Sequence, residues 1–310
     1  MEYTVLGKTG FKVSRLGIGT AEIGFEHMQT AAVSELLLFA LNHGINLIDT
    51  ARGYEQSEEL IGKTVAHRRR DFILVTKCGY GEVEGKEFLP PWSKEKIAAS
   101  VDQSLKKLRT DHIDIMLLHT CSKEILEKGE ALEALLVAKE KGKIRFVGYS
   151  GDNEEAIYAL SLPEIDVLEM SLNVTDQKNL EKVLPEAKAK NVGILAKRPL
   201  ANCPWKDPTE LSPSYAREYG AEYRKRFEQM QLKPEDFGIE KKDWPKFFFR
   251  FVLSFPEVHS VIVGTTKLEH LFKNIETLQE GPLEQSILQK VKEAFWKAEQ
   301  NSASPWLAQG

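Results

Sequence analysis

The sequence predicts a parallel (β/α)8 barrel, the TIM-barrel architecture, formed as a single domain over residues 1–310. Three observations carry that expectation. Short β-branched runs alternate with longer amphipathic segments, the order produced by parallel strands joined through helical crossovers. The runs number eight, at about 13–19, 46–50, 72–77, 113–119, 144–149, 167–173, 192–197 and 260–264. A length of 310 residues suits either two ordinary domains or one barrel, which typically needs about 250. Alternation alone would also fit an open, doubly wound sheet, and the count of eight favours closure.

The elements follow in order. MEYTVLGKTGFKV holds two short alternating runs around Gly7-Lys8-Thr9-Gly10, a hairpin signal, and such a hairpin can plug the bottom of the barrel. Thr30 is placed as the cap of a helix through LLLFALNHG, with Gly44 ending it. Ser93, just after Pro90-Pro91, is placed as the N-cap of SKEKIAASVDQSLKKLR, where Ile97, Val101, Leu105 and Leu108 recur at helical spacing. Gly142 ends a later helix before IRFVGYS. Between the seventh and eighth strands, residues at about 201–245 form a lid-like insertion rich in Pro, Trp and Tyr. It is expected to be partly ordered, because a structureless loop of that length is unusual. Residues 283–301 read as a C-terminal helix, and NSASPWLAQG as a tail.

Composition narrows the function classes. Hydrophobic residues at 42% and charged residues at 28% suit a globular protein with a large core. A net charge of −4 gives no general reason to expect nucleic acid as a partner. No apolar run approaches the roughly 20 residues of a membrane helix, and MEYTVLGKTG lacks the pattern of a signal peptide. Cys78, Cys121 and Cys203 form neither a disulfide framework nor a zinc spacing, so no metal is expected. A reduced, cytoplasmic enzyme is the expectation. Its oligomeric state is not set by the sequence.

Chemistry concentrates at the strand ends. Asp49 closes INLIDT, Lys77 closes FILVTK and His119 closes HIDIMLLH, while Tyr54 lies one loop beyond Asp49. In a parallel barrel the strand C-termini converge on one face, where active sites are built. Alone, each of these residues is an ordinary packing or ion-pairing side chain. Together they suit proton donation. A phenol ordinarily ionises near 10; a neighbouring ammonium favours its phenolate, and a carboxylate holds that ammonium in place. Reduction of a carbonyl most needs such a donor, with His119 orienting the oxygen or relaying the proton.

These residues resemble the aldo-keto reductase family nearly end to end. LGKTGFKVSRLGIGT is similar to its N-terminal hairpin and first strand, NLIDTARGYEQSEELIG to its Asp and Tyr signature, and VTK and DIMLLH to its lysine and histidine motifs. The resemblance implies a (β/α)8 barrel and NAD(P)H-dependent reduction of aldehydes or ketones. Asp49, Tyr54, Lys77 and His119 would be the catalytic residues.

The same resemblance places the cofactor. VIVGTTKLEHLFKN is similar to the adenosine-phosphate segment, with Gly264 and Thr265 in the turn, Lys267 at a 2′-phosphate and Asn274 near adenine. NADPH is expected, with NADH as the alternative. Thr20, Ser150, Asn173 and Leu200 fall beside the cofactor at strand ends. Three positions depart from the pattern. Ser150-Gly151 replaces Ser-Asn, Glu169 replaces the glutamine that meets the carboxamide, and Lys197 replaces the aromatic that stacks on nicotinamide. Lys197 or Arg198 could instead meet a phosphate. Gly17-Ile18-Gly19 is not a Rossmann fingerprint, because Glu22 occupies its last position. Phe25, His27, Trp92 and Trp205 are candidate walls for a small carbonyl substrate, or packing residues of the covering loops. Cys78 directly follows Lys77, Cys121 lies two residues past His119, and both read as small core residues. Two other functions fit parts of the chain: a dinucleotide-binding sensor without turnover, and a Schiff-base aldolase using Lys77.

Overall fold

Alternation along each strand sorts side chains to the inside and the outside of a closed barrel. The computed structural model describes residues 1–211 and 215–309, with the backbone alone for residues 215–219. An antiparallel hairpin comes first, β1 (Tyr3–Val5) with β2 (Lys12–Ser14), joined through a 3-10 turn at Gly7–Thr9. Eight strands follow: β3 (Leu16–Gly19), β4 (Leu47–Asp49), β5 (Ile73–Cys78), β6 (Ile113–His119), β7 (Ile144–Ser150), β8 (Val167–Ser171), β9 (Gly193–Lys197) and β10 (Ser260–Gly264). They close in the order β10-β3-β4-β5-β6-β7-β8-β9, parallel throughout.

Leu47, Val75, Ile115, Leu117, Val167, Leu195 and Ile262 make the interior cluster. The residues between them, including Ile48, Leu74, Met116, Leu118, Leu168 and Ile194, join the larger cluster beneath the helices. Leu6 and Val13 of the hairpin are fully buried in the interior cluster, so the hairpin does plug the barrel. Gly7 makes this close approach possible. Its φ is +46°, and a Cβ there would lie 2.5 Å from the backbone nitrogen of Gly193. Gly7→Ala is therefore expected to cost about 2–4 kcal/mol, from strain and overpacking together. Urea unfolding should show a lower midpoint with the same slope; an unchanged midpoint would contradict the plug.

Several boundaries differ from the sequence expectation. The run 13–19 divides, because Val13 and Ser14 pair with β1 while the barrel strand starts at Leu16. Arg15 marks the break: its backbone N–H donates to Glu2, and its guanidinium to the carbonyls of Val258 and Leu253. The run 167–173 ends at Ser171, and Asn173 instead bridges to Asp176. Thr30 is the first residue of the helix Thr30–Asn42, and the extended Gln29 holds the cap position. Ser93 does cap Lys94–Leu108, accepting from the Lys96 N–H at 3.3 Å. Gly44 and Gly142 take left-handed φ of +84° and +71° just past their helices.

Residues 201–245 are more helical than their composition suggested. They carry the helix Tyr215–Met230 and lead into Trp244–Leu253; 212–214 lie outside the described residues. Phe227 packs edge-on against Trp244 and Phe248. The helix Gln285–Gln300 follows, and the segment read as a tail is an ordered strap. Trp306 is 4% exposed and sits edge-on to Phe295. Ala308 and Asn153 exchange two hydrogen bonds of 2.9 Å, and the Gln309 carbonyl accepts from Ser171 Oγ at 2.7 Å. Among the described residues no helix is long and apolar enough to cross a membrane.

Candidate active site

One step beyond the interior layer, the same inward positions carry polar side chains. Following Leu47, Val75, Leu117, Val167 and Leu195 by two residues leads to Asp49, Lys77, His119, Glu169 and Lys197. The two-residue period places all five around the barrel mouth. Ser150 joins them from β7, in register with both His119 and Glu169. Gly19 and Gly264 complete the ring without side chains.

Lys77 is fully buried and lies at the centre of this ring. Its Nζ donates to Asp49 Oδ1 and Oδ2 at 2.6 and 2.8 Å and to the Thr50 carbonyl at 3.1 Å. Glu169 Oε2 stands 3.2 Å away on the other side. Burial opposes the ammonium, but the charges of Asp49 and Glu169 outweigh it and hold Lys77 above its ordinary value. Burial, reinforced by the neighbouring Glu169, pushes Asp49 well above the usual carboxylate range. Glu169 is held below that range despite burial, because Lys77 and Lys197 face it. Thr20 fixes β3 to β4 at this level, its hydroxyl donating to the Asp49 carbonyl at 2.8 Å.

Tyr54 is set by its loop. Its N–H donates to the Ala51 carbonyl, and its own carbonyl accepts from Ser57. Gly24 lies close enough that a Cβ there would meet that carbonyl at 2.0 Å. The phenol ring has Lys77 Nζ 5.2 Å from its centroid, and it meets His119 edge-on at 5.9 Å. Burial, then the charge of Lys77, pushes the His119 imidazole down to about 3, so it is neutral at physiological pH. Its Nδ1 is buried and has no hydrogen-bond partner among the described residues.

The candidate walls separate. Phe25 lies 5.7 Å from the Tyr54 ring, and Trp92 packs at 5.6 Å on Tyr80, whose ring stands 5.5 Å from His119. His27 pairs with Glu55 at 3.5 Å on the exposed side of the loop, and Trp205 packs on Phe248. Tyr80 is a site residue that sequence reasoning missed; its only signal was an aromatic in the GYG turn after Lys77-Cys78. Burial raises both Cys78 and Cys121, the latter to about 12, as suits core thiols.

The candidate cofactor residues occupy two stretches of the rim. Asn173 donates to the Arg198 carbonyl at 3.0 Å and accepts from Thr175. Lys197 lies 3.6 Å from Asp152, and the Arg198 guanidinium donates to Ser171 Oγ and to the Gln309 carbonyl. Leu200 packs partly buried against the core. Beyond β10, Thr265 Oγ1 accepts from the Lys267 N–H at 3.1 Å at the start of the helix Leu268–Glu280. Lys267 is exposed there, and Asn274 is buried within that helix. Glu22 packs its carboxyl against Gly264, where a Cβ would meet Oε2 at 2.0 Å, and burial pushes it up to about 7.

The aldo/keto reductase family model matches residues 15–295. L-galactose dehydrogenase of Arabidopsis thaliana is 30% identical over 327 residues, covering 96% of this chain and 97% of that protein. The NADH-specific methylglyoxal reductase of Escherichia coli is 29% identical over 220 residues, covering 64% and 68%. Among solved structures, the holo form of an aldo-keto reductase from Bacillus halodurans superposes with a TM-score of 0.80 at 25% identity. That match covers 99% of this chain and 98% of the other.

Proposed function

Because this chain belongs to the aldo-keto reductase family of NAD(P)H-dependent oxidoreductases, we propose that it reduces an aldehyde or ketone with NADPH, using Tyr54 as the proton donor. The observation that carries this reading is the buried Lys77, bound at 2.6 Å to Asp49 and facing the Tyr54 ring beside a neutral His119.

When bound, the reduced nicotinamide supplies the hydride. Tyr54 gives its phenolic proton to the carbonyl oxygen, and the Lys77 ammonium stabilises the phenolate that remains. Asp49 keeps Lys77 charged and in place. His119, being neutral, offers an N–H that orients the carbonyl oxygen without delivering a full charge. Phe25, Tyr80 and Trp92 give the mouth an aromatic wall, which favours an apolar or aromatic carbonyl. A Schiff-base role for Lys77 fits less well, since the nucleophile must be a neutral amine and two carboxylates hold this one charged.

The donor set suits a dinucleotide. The first turn of the helix Leu268–Glu280 offers backbone N–H groups, with Lys267 and Thr265 beside them, as an anion requires. At the reacting end would lie Ser150, which donates to Glu169, and His119, whose Nδ1 has no partner among the described residues. Lys267→Ala is expected to weaken NADPH far more than NADH in parallel fluorescence titrations. An equal loss for both nucleotides would remove Lys267 from the 2′-phosphate. Preference for NADH in the untouched protein, as in the name of the Escherichia coli relative, would also overturn this assignment.

A further inference from the structure

Glu169 does something that its place beside the nicotinamide does not require. It is 2% exposed, and both carboxylate oxygens face the interior, Oε1 in a hydrogen bond and Oε2 in an ion pair alone. Oε1 accepts from Ser150 Oγ at 3.1 Å, and Oε2 lies 3.2 Å from Lys77 Nζ. Lys77 therefore faces two carboxylates, since Asp49 already holds it at 2.6 and 2.8 Å. Of the other cations nearby, Lys197 also faces Glu169. Lys197 is paired with Asp152 at 3.6 Å, and Arg198 is tied to Ser171 and the Gln309 carbonyl.

We propose that Glu169 is a positioning residue of the proton-transfer site, a counter-charge on Lys77 beside Asp49 that keeps the Tyr54 phenol protonated to higher pH and so carries reduction to higher pH. The inference rests on Tyr54 being the proton donor. Physically, a carboxylate 3.2 Å from the ammonium cancels much of the field that would otherwise draw the proton from Tyr54. Reduction needs that proton on the phenol, whereas oxidation needs the phenolate.

The groups facing this cluster can be named strand by strand. β4 contributes Asp49, β5 Lys77, β6 the neutral His119, β8 Glu169, and β9 with its following residue Lys197 and Arg198. β3 brings the uncharged Thr20, β7 ends in Ser150 with the buried Asp152 two residues on and paired to Lys197, and β10 ends in Gly264, with Glu22 packed against it. Of these, Asp49 and Glu169 are the carboxyl groups on Lys77, and Glu169, the one held ionised, can be neutralised without losing the Asp49 contacts that anchor the lysine.

The test is Glu169→Gln, which keeps the shape and removes the charge. Tyr54 is titrated in the free protein by ultraviolet difference spectroscopy, subtracting the matching Tyr54→Phe protein in each background. Its midpoint is expected about one unit lower in the Gln variant, roughly a tenfold gain in phenolate fraction at a given pH. The alkaline limb of the reduction profile should move the same way. Equal Tyr54 midpoints with and without Glu169 would overturn the proposal, as would a variant altered only in NADPH affinity. Glu169→Met, which removes the charge at similar volume, carries the same expectation should the Gln protein not fold. The titration needs neither cofactor nor turnover, so it decides the role of Glu169 even if no carbonyl proves to be a substrate.

Discussion

Tyr54→Phe is expected to lower the turnover number for carbonyl reduction by about 10²–10⁴, the usual worth of a positioned general acid. NADPH affinity should stay nearly unchanged. The substitution deletes one hydroxyl and keeps the ring, so the edge contacts with His119 and Phe25 and the approach of Lys77 to the ring face persist. A loss confined to turnover marks an interaction used in the transition state rather than in binding. Undiminished turnover would remove Tyr54 as the donor and leave His119 as the next group able to meet the oxygen.

Lys77→Met is expected to abolish most activity and also to destabilise the fold by about 3–5 kcal/mol, the cost of breaking a buried ion pair from one side. Asp49 and Glu169 would then share a dry site without their cation. Their folded-state affinity for protons would rise above that of the unfolded chain. The folded variant would bind more protons than the unfolded one above about pH 4, so its stability should fall as pH rises. Melting of the variant at pH 5 and pH 8, beside the parent protein, reads this directly. A deficit that is the same at both pH values would mean that the two carboxylates are not the source of the loss. Lys77→Arg is no substitute, since the guanidinium fork cannot occupy the compact space of an ammonium.

Much of this site was legible because strand ends are legible. INLIDT, FILVTK and HIDIMLLH each end a β-branched run in an ionisable residue, and the two-residue period fixes those residues on the inner face with the core layer below them. The closed barrel order and the plugging hairpin followed from the count of runs and the Gly7–Gly10 turn. What stayed hidden depends on closure. Lys77 on β5 and Glu169 on β8 are not hydrogen-bonded neighbours, and only the curvature of the barrel brings them to 3.2 Å across the mouth. A reading along the chain could compare Glu169 with a glutamine, but it could not find its ammonium. Arg15 dividing the first run, and Trp306 pulling SASPWLAQ onto the helix Gln285–Gln300, are likewise set by partners distant in sequence. Tyr80 was hidden for a simpler reason, because a glycine-flanked aromatic reads as a turn.

If Tyr54 and Lys77 act as proposed, this barrel passes hydride and proton to a carbonyl. The most direct test mixes the purified protein with NADPH, establishes binding by nucleotide fluorescence, and then follows loss of the reduced-nicotinamide absorbance on adding a panel of aldehydes and ketones. The Tyr54→Phe protein runs beside it. The expected result is tight NADPH binding by both proteins and carbonyl-dependent oxidation by the parent alone. Binding without oxidation across the panel, or equal oxidation by both proteins, would contradict it.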